Sequence, residues 1–424
     1  MASDKITNKV ELRKEDLENL LQREIGLVKV KDFTTKPLTN PGDNYGSTIL
    51  SVEVLFYNGN NNLEKLPIVA KLVPESAFLR KVFNIETTFN KEVRAYTLVS
   101  PEFYKLQIEK GIPKNEILDV FSKYYGSRSN KQDDISMEAD ESAVLLMENL
   151  KLSGYELRDR RKGLNLEHME FTLNKLAQFH ALGLALKLLK PQVFKDTVLK
   201  ACEKFKLGTG EEEDENWVES NIASIRDIPE IVPHIAKITK RLNEINLNLK
   251  ERREDPVREP FATIVHNDFW VNNMMFNYDK SCNEGDEKKS PNAIKFVDFQ
   301  ITSYSSPVRD LIFLLFTSSE DGLLDVHLDH LMQLYHKELT GHLTKLGCDT
   351  ASFSLEHFME EVNFYAPKEF YHILFMLNPI SADPSNVEET SKMTKDSISK
   401  NARGNVYESK VKTMVQKFVA NKWL

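Results

Sequence analysis

The sequence predicts an α+β protein with two lobes, a small lobe rich in β-strands and a large, mostly helical lobe. Three observations lead to this prediction. The first third of the chain contains apolar segments that alternate as strands do, such as Ile49–Gly59 (ILSVEVLFYNG). Later in the chain, apolar residues recur at helical spacing, most clearly in Leu166–Leu189. Two strand-like segments within this helical part, Ile264–Phe276 and Ile294–Gln300, deliver polar residues to their ends.

The elements of the small lobe, residues 1–147, follow from periodicity and turn residues. Helical spacing predicts helices at Val10–Val28, Phe78–Leu98 and Pro101–Ile117. Alternating or continuous apolar runs predict strands at Val28–Thr39, Ile49–Gly59, Leu66–Pro74, Phe121–Gly126 and Ala143–Leu150. The pair Asn58-Gly59 is a hairpin signal between the second and third of these strands. We place the lobe boundary at the end of the last strand, because helical patterns dominate after it.

The large lobe, residues 148–424, is predicted to be a helical body that holds the two strand-like segments. Its longest core helix is Leu166–Leu189, where apolar positions recur every three or four residues. The same periodicity predicts further helices at Pro191–Phe205, Asn216–Leu249, Leu311–Phe316, Leu323–Leu346, Phe353–Met376 and Val406–Ala420.

Composition narrows the classes of function. The 424 residues are 41% hydrophobic and 28% charged, as in ordinary globular proteins, and the net charge of −8 argues against a nucleic-acid or anionic membrane partner. The three cysteines are far apart and lack CxxC spacing, which argues against a disulfide framework or a zinc site. Neither a secretory signal nor a run of about 18 apolar residues is present. We expect a cytoplasmic location, and the oligomeric state is not predicted.

The spacing of polar residues around the two strand-like segments predicts phosphoryl transfer. Asp268 follows the first segment, Asn273 comes five residues later, and Asp298 ends the second segment. A carboxylate in the position of Asp268 can accept the proton of an acceptor hydroxyl, while Asn273 and Asp298 can hold Mg²⁺ on nucleotide phosphates. For His266 we expect a structural role. Asp310 is either a helix N-cap or a brace beneath the catalytic loop.

The small lobe supplies candidates for the nucleotide site. Lys71 is a lone lysine in an apolar strand, and Glu92 lies 21 residues later in a predicted helix, so the two can form the pair that contacts the phosphates. The alternative is a lysine that snorkels from an edge strand and a solvated glutamate. A glycine-containing turn can cover the phosphates through Gly42, Asn44, Tyr45, Gly46 and Ser47. The connector between lobes can meet the base through Met147, Glu148 and Leu150, or it can be only the end of a buried strand.

These motifs resemble those of the ecdysteroid kinase-like family, within the aminoglycoside phosphotransferase and choline kinase group. The resemblance rests on HNDFWVNNMMF, VDFQ, SPVRDL, the NPGDNYGS turn and the FNKEVRAY helix, and it covers roughly Val28–Met376. It implies a two-lobed protein-kinase-like fold, ATP and Mg²⁺ as cofactors, and transfer to a hydroxyl of a small molecule, with an ecdysteroid or other apolar alcohol as one acceptor class. Asn267 departs from the family pattern, since many relatives have glycine there.

Three functions remain open at this stage. A small-molecule O-kinase is favoured, and the aromatic stretch Phe364–Met376 is either core or part of its acceptor pocket. A protein kinase is disfavoured, because only a few residues separate Asp298 from Pro307, where protein kinases have an activation loop. A nucleotide-binding protein without catalysis is the third possibility, although the full set of catalytic residue types argues against it.

Overall fold

The computed structural model describes residues 12–26, 28–38, 46–204, 216–251, 256–279, 289–383 and 404–424. Its first lobe is built on a five-stranded antiparallel sheet with the order β1-β2-β3-β5-β4. The strands are β1 (Lys29–Pro37), β2 (Thr48–Tyr57), β3 (Leu63–Leu72), β4 (Tyr124–Arg128) and β5 (Val144–Glu148). The β2–β3 hairpin predicted from Asn58-Gly59 is present, and Asn61 is the residue that takes the left-handed conformation in its turn.

Both faces of the central part of this sheet are covered, which is why β5 and the second half of β3 are so apolar, whereas β1 is mostly exposed. Helix α1 (Lys14–Ile25) lies on one face, where its leucines share a core cluster with alternate residues of β3 such as Ile68 and Ala70. Helix α3 (Ile85–Arg94) lies on the other face with Val69 and Val73. Successive side chains of a strand point to opposite faces, so Lys71 shares the face of Val69 and points toward α3.

The predicted single helix Phe78–Leu98 is wrong in one respect, because it is divided. Helix α2 (Ala77–Val82) ends before Asn84, whose φ of 48° is left-handed and stops the helix, and α3 begins at the next residue. After α3 a π-helical turn, Ala95–Val99, leads into α4 (Ser100–Glu109). Helix α4 packs on the large lobe, with the Phe103 ring 5.5 Å from that of Phe179.

The large lobe is helical, with two small ribbons set into it. Helices α5 (Leu166–Leu189) and α11 (Leu323–Lys345) pack side by side in its core. The remaining helices are α6 (Pro191–Val193), α7 (Leu199–Ala201), α8 (Trp217–Ala223), α9 (Ile235–Lys250), α10 (Val308–Ser318), α12 (Leu355–Ser381) and α13 (Asn405–Ala420). No helix in the described part of the chain is both long and apolar enough to cross a membrane.

The segment Ile264–Phe276 is two strands rather than one. Strand β6 (Thr263–Val265) pairs with β9 (Ser303–Ser305), and β7 (Met274–Tyr278) pairs with β8 (Pro291–Phe296). A loop and a short 3₁₀ turn, Val271–Asn273, lie between β6 and β7. The loop therefore projects its polar residues where the two ribbons meet, and one continuous apolar core that spans both lobes lies beneath it.

Candidate active site

Three charged side chains from three distant segments meet between the lobes. The Nζ atom of Lys71 lies 2.5 Å from Oε2 of Glu92 and 2.8 Å from Oδ1 of Asp298. Lys71 is 2% exposed and Glu92 is 1% exposed, whereas the side chain of Asp298 is 24% exposed. The alternative of a lysine that snorkels from an edge strand and a solvated glutamate is therefore wrong, because β3 is the central strand and both side chains are buried. Only Asp298 of the three presents part of its carboxylate to the cleft.

The electrostatics of this trio follow from its net negative charge. Burial lowers the pKa of Lys71, but the charges of Asp298 and Glu92 outweigh burial and leave that pKa above its ordinary value. Burial, opposed by Lys71 and reinforced by Asp298, raises the pKa of Glu92 to about 7. One ammonium between two carboxylates thus holds its proton firmly, while Glu92 is a weaker acid than usual.

The loop between β6 and β7 is held from below by Asp310. The carboxylate of Asp310 accepts hydrogen bonds from the backbone N–H of His266 at 2.6 Å and of Asn267 at 2.7 Å. The N-cap of α10 is Pro307, so of the two roles considered for Asp310 the brace is confirmed and the N-cap is wrong. His266 is fully buried and its Nε2 bonds the Val297 carbonyl at 2.9 Å, which ties the loop to the segment carrying Asp298.

Asn267 occupies the one position of this loop that needs a left-handed backbone. Its φ is 68°. Glycine adopts this conformation freely, and asparagine is among the side-chain-bearing residues that tolerate it best. The departure from glycine at this position is thus compatible with the same loop geometry.

Asp268 and Asn273 form a unit at the end of this loop. The Asn273 amide donates from Nδ2 to Oδ2 of Asp268 at 2.8 Å and to the Asp268 carbonyl at 2.8 Å. In the β7–β8 register Met274 is opposite Phe296, and the Val297 N–H bonds the Asn273 carbonyl at 3.0 Å. This register places Asn273 and Asp298 side by side at the same end of the ribbon.

The environment of Asp268 makes its carboxyl a better base than a solvated aspartate. Burial and the nearby charge of Asp298 raise the pKa of Asp268, although His266, His372 and the hydrogen bond from Asn273 oppose the shift. Asp268 nevertheless keeps part of its surface accessible. A carboxylate with a raised pKa at an accessible point of the cleft is suited to take a proton from a bound hydroxyl.

The predicted phosphate-covering turn is only partly within the described residues. Gly42, Asn44 and Tyr45 lie outside them, whereas Gly46 and Ser47 lie directly before β2. A Cβ atom on Gly46 would stand 2.8 Å from Oε1 of Gln300, so the turn approaches the segment after Asp298 as closely as glycine permits. Gln300 is 5% exposed, and its Nε2 has no hydrogen-bond partner among the described residues. An unpaired buried donor between this turn and Asp298 fits a phosphate oxygen as its acceptor.

The predicted connector lies at the end of β5. Met147 is opposite Val69 in the sheet, and Glu148 is the last residue of the strand. Glu148 is anchored on both sides, since its backbone N–H bonds the Lys123 carbonyl at 2.9 Å and its Oε1 accepts from Ser153 at 2.5 Å. Leu150 is buried in the following turn. The edge that would face a base is therefore held rigidly between the two lobes.

The donor set at Asn273 and Asp298 fits a hard divalent cation. An amide oxygen and a carboxylate oxygen are the ligand types that Mg²⁺ prefers, and such sites commonly take their other ligands from phosphates and water. No cluster of three or more His, Cys, Asp or Glu side chains suited to a metal occurs in the described ranges. These two residues fit a cation shared with a nucleotide rather than one held by the protein alone.

One arrangement at the cleft escapes sequence reasoning. His372 of α12 shares Glu369 with Arg309: its Nδ1 lies 3.0 Å from Oε2 of Glu369, and Nε of Arg309 lies 2.6 Å from Oε1. Burial alone would raise the pKa of Glu369, but Arg309 and His372 lower it to about 2. The His372 ring also stacks on Phe313 at 4.1 Å. His372 is thus fixed on two sides and lies close enough to Asp268 to oppose the rise in the pKa of that carboxyl.

The aromatic stretch Phe364–Met376 divides between core and surface. Tyr365 and Phe370 are buried in the core, whereas Phe375 is 38% exposed and packs near Tyr371 at 6.0 Å between ring centroids. Helical spacing places Phe375 one turn from His372. Part of the stretch is core, as one reading of the sequence predicts, and Phe375 is exposed on α12 one turn from His372.

The sheet order of the small lobe, the helical large lobe and the cleft between them define a kinase-like fold. Comparison with protein families matches residues 41–348 to the ecdysteroid kinase-like family. The chain belongs to this family, and membership indicates kinase-like phosphotransferase activity on small molecules. No match was found among curated proteins, so the family match stands without an individual relative beside it.

Proposed function

We propose that the protein is an ATP- and Mg²⁺-dependent phosphotransferase that acts on a hydroxyl group of a small molecule in the cytoplasm. The observation that carries the proposal is the convergence of Lys71, Asp268, Asn273 and Asp298 from separate segments of both lobes into one cleft. Each of these has the residue type that phosphoryl transfer requires at its position. The widely spaced cysteines support the choice of compartment.

In the proposed reaction the residues of the cleft position the partners and move one proton. Asp268 orients the acceptor hydroxyl and takes its proton as the oxygen bonds to the γ-phosphorus and the bond from that phosphorus to ADP breaks. Asn273 fixes the rotamer of the Asp268 carboxylate. Lys71, held by Glu92, contacts the nucleotide phosphates. A Mg²⁺ ion held by Asn273 and Asp298 would offset the charge of the phosphates.

A small molecule is favoured over a protein as acceptor by the short path after Asp298. Within it lie the 3₁₀ turn Phe299–Ile301 and strand β9, which is paired to β6, and α10 begins at Val308. Every part of this path is committed to local structure, and it has no room for a long activation segment. The exposed Phe375 near His372 supports an acceptor with an apolar body, and we propose an ecdysteroid or a similar apolar alcohol as the first class to test.

The test is a search for the acceptor followed by removal of the base. Protein, ATP and Mg²⁺ are incubated with ecdysteroids, choline-like alcohols, aminoglycosides and a metabolite extract, and products that gain one phosphate are detected by mass spectrometry. Asp268→Asn is expected to lower kcat by about 10²–10⁴-fold because the proton acceptor is lost. Binding of a fluorescent ATP analogue should be unchanged in this variant. Wild-type turnover by Asp268→Asn would reject the assigned base.

A further inference from the structure

A cavity of about 300 Å³ lies where the small lobe meets the large one, and none of its walls belongs to the cleft described above. Helix α4 and the turn after it provide one wall, and α5 and α11 provide the other. The polar lining consists mainly of Gln107, Glu116, Lys175, Gln178, His342 and Lys345.

Several of these polar groups already have partners that build the walls. Nζ of Lys345 lies 2.8 Å from Oε2 of Glu116, and Nε2 of Gln178 donates to the Glu116 carbonyl at 2.8 Å. Glu338 accepts a hydrogen bond from Asn174. The charge of Glu116 is therefore compensated by Lys345, whereas Glu338 is held by the neutral amide of Asn174.

Two groups that can carry positive charge are left without such a partner. Lys175 makes no ion pair with any described carboxylate and lies 5.7 Å over the Phe171 ring. Nε2 of His342 has no hydrogen-bond partner among the described residues, and the nearest carboxylate oxygen, on Glu338, is 4.0 Å away. Nε2 of His342 is a buried nitrogen that gains from a ligand with an acceptor atom, and the half-buried Lys175 ammonium gains an ion-pair partner from the same ligand if that ligand is an anion.

The pKa values of Lys175 and His342 are both lowered, and the main cause in each case is burial. Burial, together with the charges of Lys345 and Lys175, lowers the pKa of His342 to about 4. Burial also lowers the pKa of Lys175, with Lys345 adding to the effect and Glu116 and Glu338 opposing it. Negative charge placed between them would relieve the repulsion and favour the protonated forms.

We propose that this cavity is a second small-molecule site, which binds a carboxylate or phosphate anion through Lys175 and His342. Apolar side chains of the lining, Ile112, Leu182 and Leu346, would contact a short apolar part of the ligand. Because Lys175 lies on α5 and His342 lies on α11, a bound anion would join these two helices beside α4. The proposal is independent of the phosphotransferase activity, since it shares no residue with that site.

The test follows the His342 imidazole by ¹H–¹⁵N NMR in the full chain. The protein is titrated separately with inorganic phosphate and with acetate, against sodium chloride at equal ionic strength. Binding by either anion should raise the pKa of His342 by about one unit, equivalent to about tenfold tighter binding to the imidazolium form. The anion that produces the larger shift identifies the ligand class. A His342 signal that responds to neither anion overturns the proposal.

Two variants separate the site from a general effect of ions. Lys175→Met keeps the apolar stem of the side chain. It should raise about tenfold the anion concentration at which the pKa shift of His342 is half complete. His330→Gln, at an exposed position of the same α11, should leave it unchanged. An unaltered shift in Lys175→Met would overturn the role of Lys175. Circular dichroism melting confirms that each variant is folded, and His342→Gln with isothermal calorimetry provides a second measurement of the same loss.

Discussion

Replacement of Asp310 by asparagine tests how the catalytic loop is held. The Asp310 carboxylate is fully buried and accepts three hydrogen bonds, from the backbone of His266 and Asn267 and from Nε2 of His180 at 3.1 Å. Since a carboxylate only accepts, His180 donates from Nε2, and its Nδ1 accepts from the Tyr335 hydroxyl at 2.7 Å. A chain of hydrogen bonds thus runs from α11 through α5 and Asp310 to the loop that bears Asp268.

The expected cost follows from the loss of one acceptor atom. Asparagine has the same shape, but one carboxylate oxygen becomes an NH₂ group that faces either a backbone N–H or His180. A hydrogen bond to a charged group contributes about 1.5–3 kcal/mol, and a buried unsatisfied donor costs about 1–3 kcal/mol. We expect Asp310→Asn to lower the free energy of unfolding by about 2–4 kcal/mol. A loop shift of about 1 Å should lower kcat by about 10²-fold.

Urea denaturation followed by tryptophan fluorescence measures the first effect, and steady-state kinetics with the identified acceptor measure the second. The affinity for ATP should change little, because Lys71 and Glu92 do not contact the brace. Asp329→Asn, at an exposed position on α11, is the matched control and should alter neither quantity. If Asp310→Asn unfolds at the urea concentration of the wild type, the brace does not hold the loop as inferred.

Two further substitutions probe the nucleotide and acceptor sides. Lys71→Met should raise the pKa of Glu92 beyond its present value of about 7. A carboxyl whose pKa is raised in the folded state destabilises that state progressively as the pH rises from the unfolded pKa to the folded pKa. Between about pH 6 and 9, the unfolding free energy of this variant, measured by urea titration, should therefore fall by about 1–3 kcal/mol more than that of the wild type. Equal slopes of unfolding free energy against pH in the two proteins would contradict the pairing. His372→Ala should raise the KM for the acceptor about tenfold and leave the KM for ATP unchanged. The control His357→Ala, on the same helix, should change neither KM. A parallel rise in both KM values of His372→Ala would refute a role of His372 on the acceptor side.

The parts of the site that the sequence predicts are those fixed by local periodicity. Alternation along β3 is enough to place Lys71 on the same face as Val69, and that face meets α3. Asn273 follows Asp268 by five residues, and the 3₁₀ turn that ends at Asn273 brings the two side chains into contact. Antiparallel pairing of β7 with β8 then brings Asn273 next to Asp298 without any long-range information.

The parts that the sequence does not predict depend on contacts between distant elements. Nothing local distinguishes an N-cap from a brace at Asp310, since the choice depends on where the loop lies above α10. Arg309 and Glu369 are 60 residues apart and meet only because α10 and α12 pack together. The close approach of Gly46 to Gln300 likewise joins the first strands to the segment after Asp298, and no spacing rule links them.

The charge of the trio at the cleft explains why its three members act as one unit. Lys71 offers one positive charge to two carboxylates; these carboxylates raise the pKa of Lys71, whereas burial, reinforced by the charge of Asp298, raises the pKa of Glu92. A divalent cation held by Asp298 would compensate the negative charge of that carboxylate. The charge of Lys71 would then compensate Glu92 alone. The pKa of Glu92 would fall, and Lys71 would be free to share its remaining donors with phosphate oxygens. If the proposed cation and nucleotide bind, the ion pair across the lobes would therefore respond to both through a single redistribution of charge.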